Sequence, residues 1–135
     1  MGRAFSIVVS GTGGEEIDHA IAYPEKFTSM VRTALAHLSL PADEQIRYLV
    51  DQRVGADELA LELNDVVDLL SELVQRGYVS RAAADLITAI DARFDAMSGS
   101  EHAHRWTDQA LAQSAEWEEI RSLARAAVRE MADFG

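Results

Sequence analysis

Four kinds of residue in this 135-residue chain are capable of chemistry: a glycine cluster, a pair of histidines, many carboxylates and scattered serines. Gly11-Thr12-Gly13-Gly14 follows the apolar run at residues 5–9, where a phosphate-cradling loop would open. Such a loop ends in Gly-Lys-Ser/Thr. Here Glu15 and Glu16 follow, and two carboxylates repel a phosphate. The dinucleotide fingerprint needs a third glycine and a parallel sheet, and neither follows. The cluster reads as a flexible turn. His102 and His104, beside Glu101, could offer two imidazoles to a transition metal, but a structural site normally takes four ligands. His19 and His37 are distant in sequence and could join them only through folding. No His-Glu-x-x-His pattern occurs, so the pair reads as a polar surface loop, with metal ligation as the alternative.

No serine sits in a nucleophile elbow. Carboxylate pairs become acid and base only in a pocket that separates their pKa values, and no such pocket is visible in the sequence. There is no cysteine, hence no disulfide, thiolate metal site or cysteine nucleophile. The expectation is a chain without catalytic residues, metal or cofactor.

The carboxylates are more informative as a surface. On a helix turning about 100° per residue, Glu58, Glu62, Asp65, Asp68 and Glu72 fall within an arc about 120° wide. The apolar set Leu59, Leu63, Val66, Val67, Leu70, Leu73 and Val74 is centred roughly 140° away. Leu61 and Leu69 project within or near the acidic arc. Either this helix is more enclosed than its stripe implies, or these leucines are apolar anchors with an acidic rim, which suits a basic protein partner. Residues 41–79 hold nine acidic residues against three arginines, a balance of −6 within the whole chain's −11. Arg121, Arg125 and Arg129 line one flank of the last helix, where they could neutralise the acidic helix or sit in solvent.

The net charge of −11 argues against nucleic acid and against anionic membrane surfaces as partners. No apolar run approaches the ~20 residues of a membrane span, and the N-terminal apolar stretch is short for an exported protein. A cytoplasmic location is the expectation. At 48% apolar residues the chain should form one folded domain.

The elements that must position these residues read as all-α, a compact bundle of five to six helices with a short N-terminal strand or extended arm. Residues 1–22 form the arm and loop, with Phe5, Ile7 and Val9 alternating, and residues 24–133 the bundle. Pro24 opens a helix carrying Phe27, Met30, Val31, Ala34, Leu35 and Leu38. Pro41 opens the next, with Ile46, Leu49 and Val50 inward and Gly55 at its end. Residues 57–76 give the most regular helix, stopped by Gly77 with Tyr78 closing the last turn. Ser80 caps a helix with Leu86, Ile87, Ile90, Phe94 and Met97 inward, ended by Gly99. After a loop at residues 98–104, Thr107 caps a short helix. Ser114 caps the last, whose stripe is Trp117, Ile120, Ala124, Ala127, Val128 and Met131. Trp106 and Trp117 read as core residues whose indole N–H finds a nearby acceptor.

The pieces Glu44-Gln45 with Tyr48-Leu49, residues 57–65, Met97-Ser98-Gly99, Trp106-Thr107 with Ala110-Leu111, and Trp117 with Ile120-Arg121 and Leu123-Ala124 form a pattern. Over residues 41–131 it resembles small all-helical bacterial proteins of the immunity type, encoded beside toxins of polymorphic or contact-dependent systems. The arm at residues 1–22 departs from that pattern, and no functional residues carry over. The resemblance implies a non-enzymatic acidic domain that neutralises a cognate toxin. On the helix geometry above, and not from the resemblance, the partner-binding residues would be Glu58, Leu61, Glu62, Asp65, Asp68, Leu69 and Glu72. The alternatives are a homodimer formed through the strand at residues 5–9, and an unrecognised enzyme or metal-binding protein.

Overall fold

A computed structural model describes residues 23–134, with side chains as far as residue 132. The N-terminal arm, its strand at residues 5–9, the glycine cluster and His19 lie outside the described residues.

The described chain is all-helical. Seven α-helices follow one another: α1 (Pro24–Ser39), α2 (Ala42–Gln52), α3 (Asp57–Val67), α4 (Leu70–Gln75), α5 (Arg81–Ala96), α6 (Asp108–Gln113) and α7 (Ala115–Phe134). A 3-10 segment, Ser100–Trp106, joins α5 to α6 where the sequence reads as a loop. Four helices close a ring: α7 lies against α1 and α5, and α3 lies against the same two helices. Their facing stripes make one core from Leu35 and Leu38, Leu59 and Leu63, Ile87 and Ile90, and Trp117 and Ile120. No described helix is long and apolar enough to cross a membrane.

Local signals set most boundaries. Ser80, Thr107 and Ser114 accept from the backbone N–H three residues on, at 3.1, 3.1 and 3.2 Å, which satisfies donors that a helix start leaves open. Gly77 (φ 83°) stops α4. The Tyr78 N–H reaches the Leu73 carbonyl at 2.9 Å, and that of Gly77 reaches Val74 at 3.1 Å.

Helix α2 ends by the same pair of bonds. The Val54 N–H bonds Leu49 and that of Arg53 bonds Val50, so the left-handed position falls on Arg53 (φ 59°), two residues before Gly55. A side chain there crowds its own carbonyl, at a cost of roughly 1–2 kcal/mol, against which glycine loses more chain entropy on folding. Arg53→Gly should therefore raise stability by about 0.5 kcal/mol, read as a higher urea midpoint at unchanged slope. A lower midpoint would show that the arginine side chain supplies a compensating contact.

The expected single helix at residues 57–76 is two helices, which takes the count beyond six. Leu69 N–H bonds Val66 at 3.0 Å, a tightened turn that ends α3 before α4 resumes. Leu69 is consequently 2% exposed and does not stand on the acidic surface where an unbroken helix would place it. Burying a leucine contributes roughly 1.5–3 kcal/mol, which outweighs the roughly 1 kcal/mol of a distorted helix hydrogen bond. Two other assignments to the core are corrected. Val50 is 63% exposed because α2 turns Gln45 and Leu49 inward, and Val128 lies on the outer side of α7.

Candidate functional site

Helix α3 stands in the ring with its acidic side turned partly toward α1 and α2. That placement divides the seven residues of the expected surface. Glu62 faces inward and is held by two side chains. His37 Nδ1 donates to its Oε1 at 2.8 Å, and the Tyr48 hydroxyl donates to its Oε2 at 2.5 Å. The His37 and Tyr48 rings stack at 4.1 Å. Glu72 is half-buried and pairs with Arg76 one turn on, at 3.5 Å. Glu58 is half-buried, while Asp65 and Asp68 are exposed. Leu61 is half-buried in a groove between α3 and α5, and Leu69 is buried. The structure thus brings Glu58, Glu62 and Asp65 into one field but does not place the two leucines side by side as surface anchors.

That field shows in the titrations. The Tyr48 hydroxyl is pushed up to about 12, first by its hydrogen bond to Glu62, then by burial and by the charges of Glu62 and Glu58. The Asp65 carboxyl is raised from 3.8, first by desolvation and then by the Glu62 charge. A raised folded value means that Asp65 favours the fold below pH 3.8. That contribution is lost as pH rises through the folded value, so at neutral pH its charge opposes folding.

For Tyr48 the same rule puts the benefit below pH 10, with loss as pH climbs toward 12. Tyr48→Phe should cost about 1 kcal/mol at pH 7, below the roughly 1.5–3 kcal/mol of a hydrogen bond to a charged acceptor because the site is half-exposed. The difference from wild type should shrink above pH 10 in urea titrations. A constant difference across that range would remove Glu62 as the cause.

The arginines of α7 do not neutralise α3. Arg121 is 3% exposed and its Nη1 donates to Gln45 Oε1 and to the Leu111 carbonyl, both at 2.9 Å. Its Nε and Nη2 donate to Glu118. Arg125 Nε donates to the Ser39 carbonyl at 3.1 Å. Gln45 in turn donates to the His37 and Leu38 carbonyls at 3.1 and 3.0 Å, satisfying acceptors that the end of α1 leaves open. Sequence reasoning missed Gln45, His37 and Tyr48 in these roles. The signal for Gln45 was local: a donor one turn beyond a proline that follows a helix end.

A carboxylate that orients an imidazole is half of a nucleophile-activating arrangement. Here the second carboxylate oxygen is taken by Tyr48, which builds a rigid link between α1, α2 and α3. Among the described residues no three His, Asp or Glu side chains are grouped to hold a metal. His102 stands 3.9 Å from its neighbour Glu101, and His104 is exposed. The indole N–H groups of Trp106 and Trp117 donate to the Met97 and Arg105 carbonyls, both at 2.8 Å.

No protein-family model, curated protein or solved structure matches this chain.

Proposed function

We propose that this chain is a non-enzymatic, acidic protein-binding domain of the immunity type, which neutralises a toxin by covering a basic surface. The observation that carries this reading is negative charge concentrated on one segment. Residues 41–79 carry a balance of −6, and Arg121 and Arg125 of the last helix bond Gln45, Leu111, Ser39 and Glu118, not α3. A toxin that acts on nucleic acid carries a basic cleft, and a negative surface of this kind speeds encounter with it and excludes its substrate.

Of the residues first assigned to the interface, Glu58, Asp65 and Asp68 remain on the surface. Glu62 acts from behind them, through the field it shares with Glu58 and Asp65. The domain would work in the cytoplasm, where its partner would otherwise act.

The test is co-expression with the product of each neighbouring gene. One neighbour should arrest growth when expressed alone, be relieved by this chain, and co-purify with it as a complex. Neighbours that are harmless alone, or an arrest that this chain leaves unrelieved, would overturn the reading.

A further inference from the structure

The reading above leaves open where a partner would anchor. A half-open groove of about 190 Å³ lies between α3 and α5. One wall is aromatic: Trp106 and Phe94, with ring centres 5.8 Å apart. Trp106 is fixed from behind, because its indole N–H is tied to the Met97 carbonyl and its ring meets Trp117 edge-on at 5.6 Å. Leu61 supplies the opposite apolar contact. At its edge stand two carboxylates, Asp57 and Asp95, while the buried Asp91 has a partner of its own, and no arginine, lysine or histidine is among the described lining residues. Two arginines of the flanking elements pair elsewhere: Arg93 with Glu119 at 2.7 Å and Arg105 with Glu116 at 3.4 Å.

We propose that this groove seats one arginine side chain presented by a protein partner. The assignment rests on the reading of the chain as an acidic protein-binding domain, and it deepens that reading by naming the anchor. The volume is below the roughly 300–1,000 Å³ of an ordinary small-molecule site, and it fits a single long side chain. A carboxylate or phosphate would be repelled by the rim. An ammonium is compact and strongly hydrated. A guanidinium is planar and weakly hydrated, and it can lie on the Trp106 face while donating to carboxylates at the edge. Because Trp106 is already held in place, little side-chain freedom is lost on binding. Leu61, which looked out of place beside the acidic arc, then becomes the contact for the arginine's methylene stem.

The test uses the full-length chain, isotopically labelled, and blocked tripeptides Gly-Arg-Gly, Gly-Lys-Gly and Gly-Glu-Gly followed by NMR. The arginine peptide should shift the Trp106 indole N–H and the amides of Asp57, Leu61 and Asp95 in a saturable way. The lysine peptide should bind more weakly and the glutamate peptide not at all. Asp95→Asn should weaken arginine binding about threefold, the scale of one lost exposed ion pair, and Asp43→Asn on α2 should leave it unchanged.

Equal responses to arginine and lysine spread over the whole acidic surface would reduce the effect to diffuse charge and overturn the groove. So would a silent Trp106 indole. Shifts that grow with protein concentration without peptide would identify a second copy as the occupant and overturn a partner protein. The two proposals fail separately. A neutralised toxin whose binding survives Asp57→Asn with Asp95→Asn removes the groove and leaves the immunity reading. Peptide binding in the groove without any neutralised neighbour removes the immunity reading and leaves the arginine site.

Discussion

Arg121→Met should lower the stability of the domain by about 3 kcal/mol, because two buried acceptors lose their donor at once. Methionine keeps the aliphatic volume of the stem and brings no N–H. Gln45 Oε1 and the Leu111 carbonyl, each 2.9 Å from Nη1, are left inside the fold without that partner. Relief of the arginine's own desolvation offsets part of the loss, but removing one member of a buried polar pair costs more than replacing both. The Glu118 pair adds little, since that carboxylate is 62% exposed. In a chain of this length the change is worth roughly 10 °C in melting midpoint. Arg125→Met, which removes a half-exposed bond to Ser39, should cost about 1 kcal/mol or less. The double variant Gln45→Leu with Arg121→Met should lose less than the two single losses added, by about 1 kcal/mol. Urea unfolding followed by circular dichroism decides it. A loss under 1 kcal/mol for Arg121→Met would mean that the freed acceptors find water.

The contrast between Ser80 and Leu69 shows what was legible before the fold was seen. A cap acts within four residues, so Ser80, Thr107, Ser114 and Gly77 could be placed from their neighbours alone. The burial of Leu69 depends on whether the helix stays continuous, and the core decides that by drawing Leu69 inward through a tightened turn at residues 66–69. A helical wheel carried across residues 57–76 therefore misplaces the residue at its break. Glu62 and Arg121 fail in a second way. Each was read as a surface charge, and each is claimed by partners 25 and 76 residues away. Charge along a sequence is additive, so the −6 of residues 41–79 could be counted in advance. Which of those charges face outward is a property of packing. Leu61 is the informative middle case: the wheel put it within or near the acidic arc, and the fold places it in the groove that Trp106 also lines.

Reversing the three outward carboxylates, with Glu58→Lys, Asp65→Lys and Asp68→Lys together, should slow association with the basic partner by about 10- to 100-fold at low salt. The slope of the rate against salt should flatten as well, because the long-range attraction that salt screens has been removed. Dissociation should change less, since rim charges act mainly on encounter. Circular dichroism and urea unfolding of the triple variant separate lost binding from lost folding. The Asp65 carboxyl is raised first by desolvation, which penalises a lysine there as well, and second by the Glu62 charge, which a lysine relieves. Glu62 itself is left in place, because its bonds to His37 and Tyr48 hold three helices together. Stopped-flow mixing of wild type and variant with the neutralised neighbour, at several salt concentrations, gives the answer. An unchanged rate would show that the partner approaches another face, and the acidic surface would then be only the solvated side of the ring.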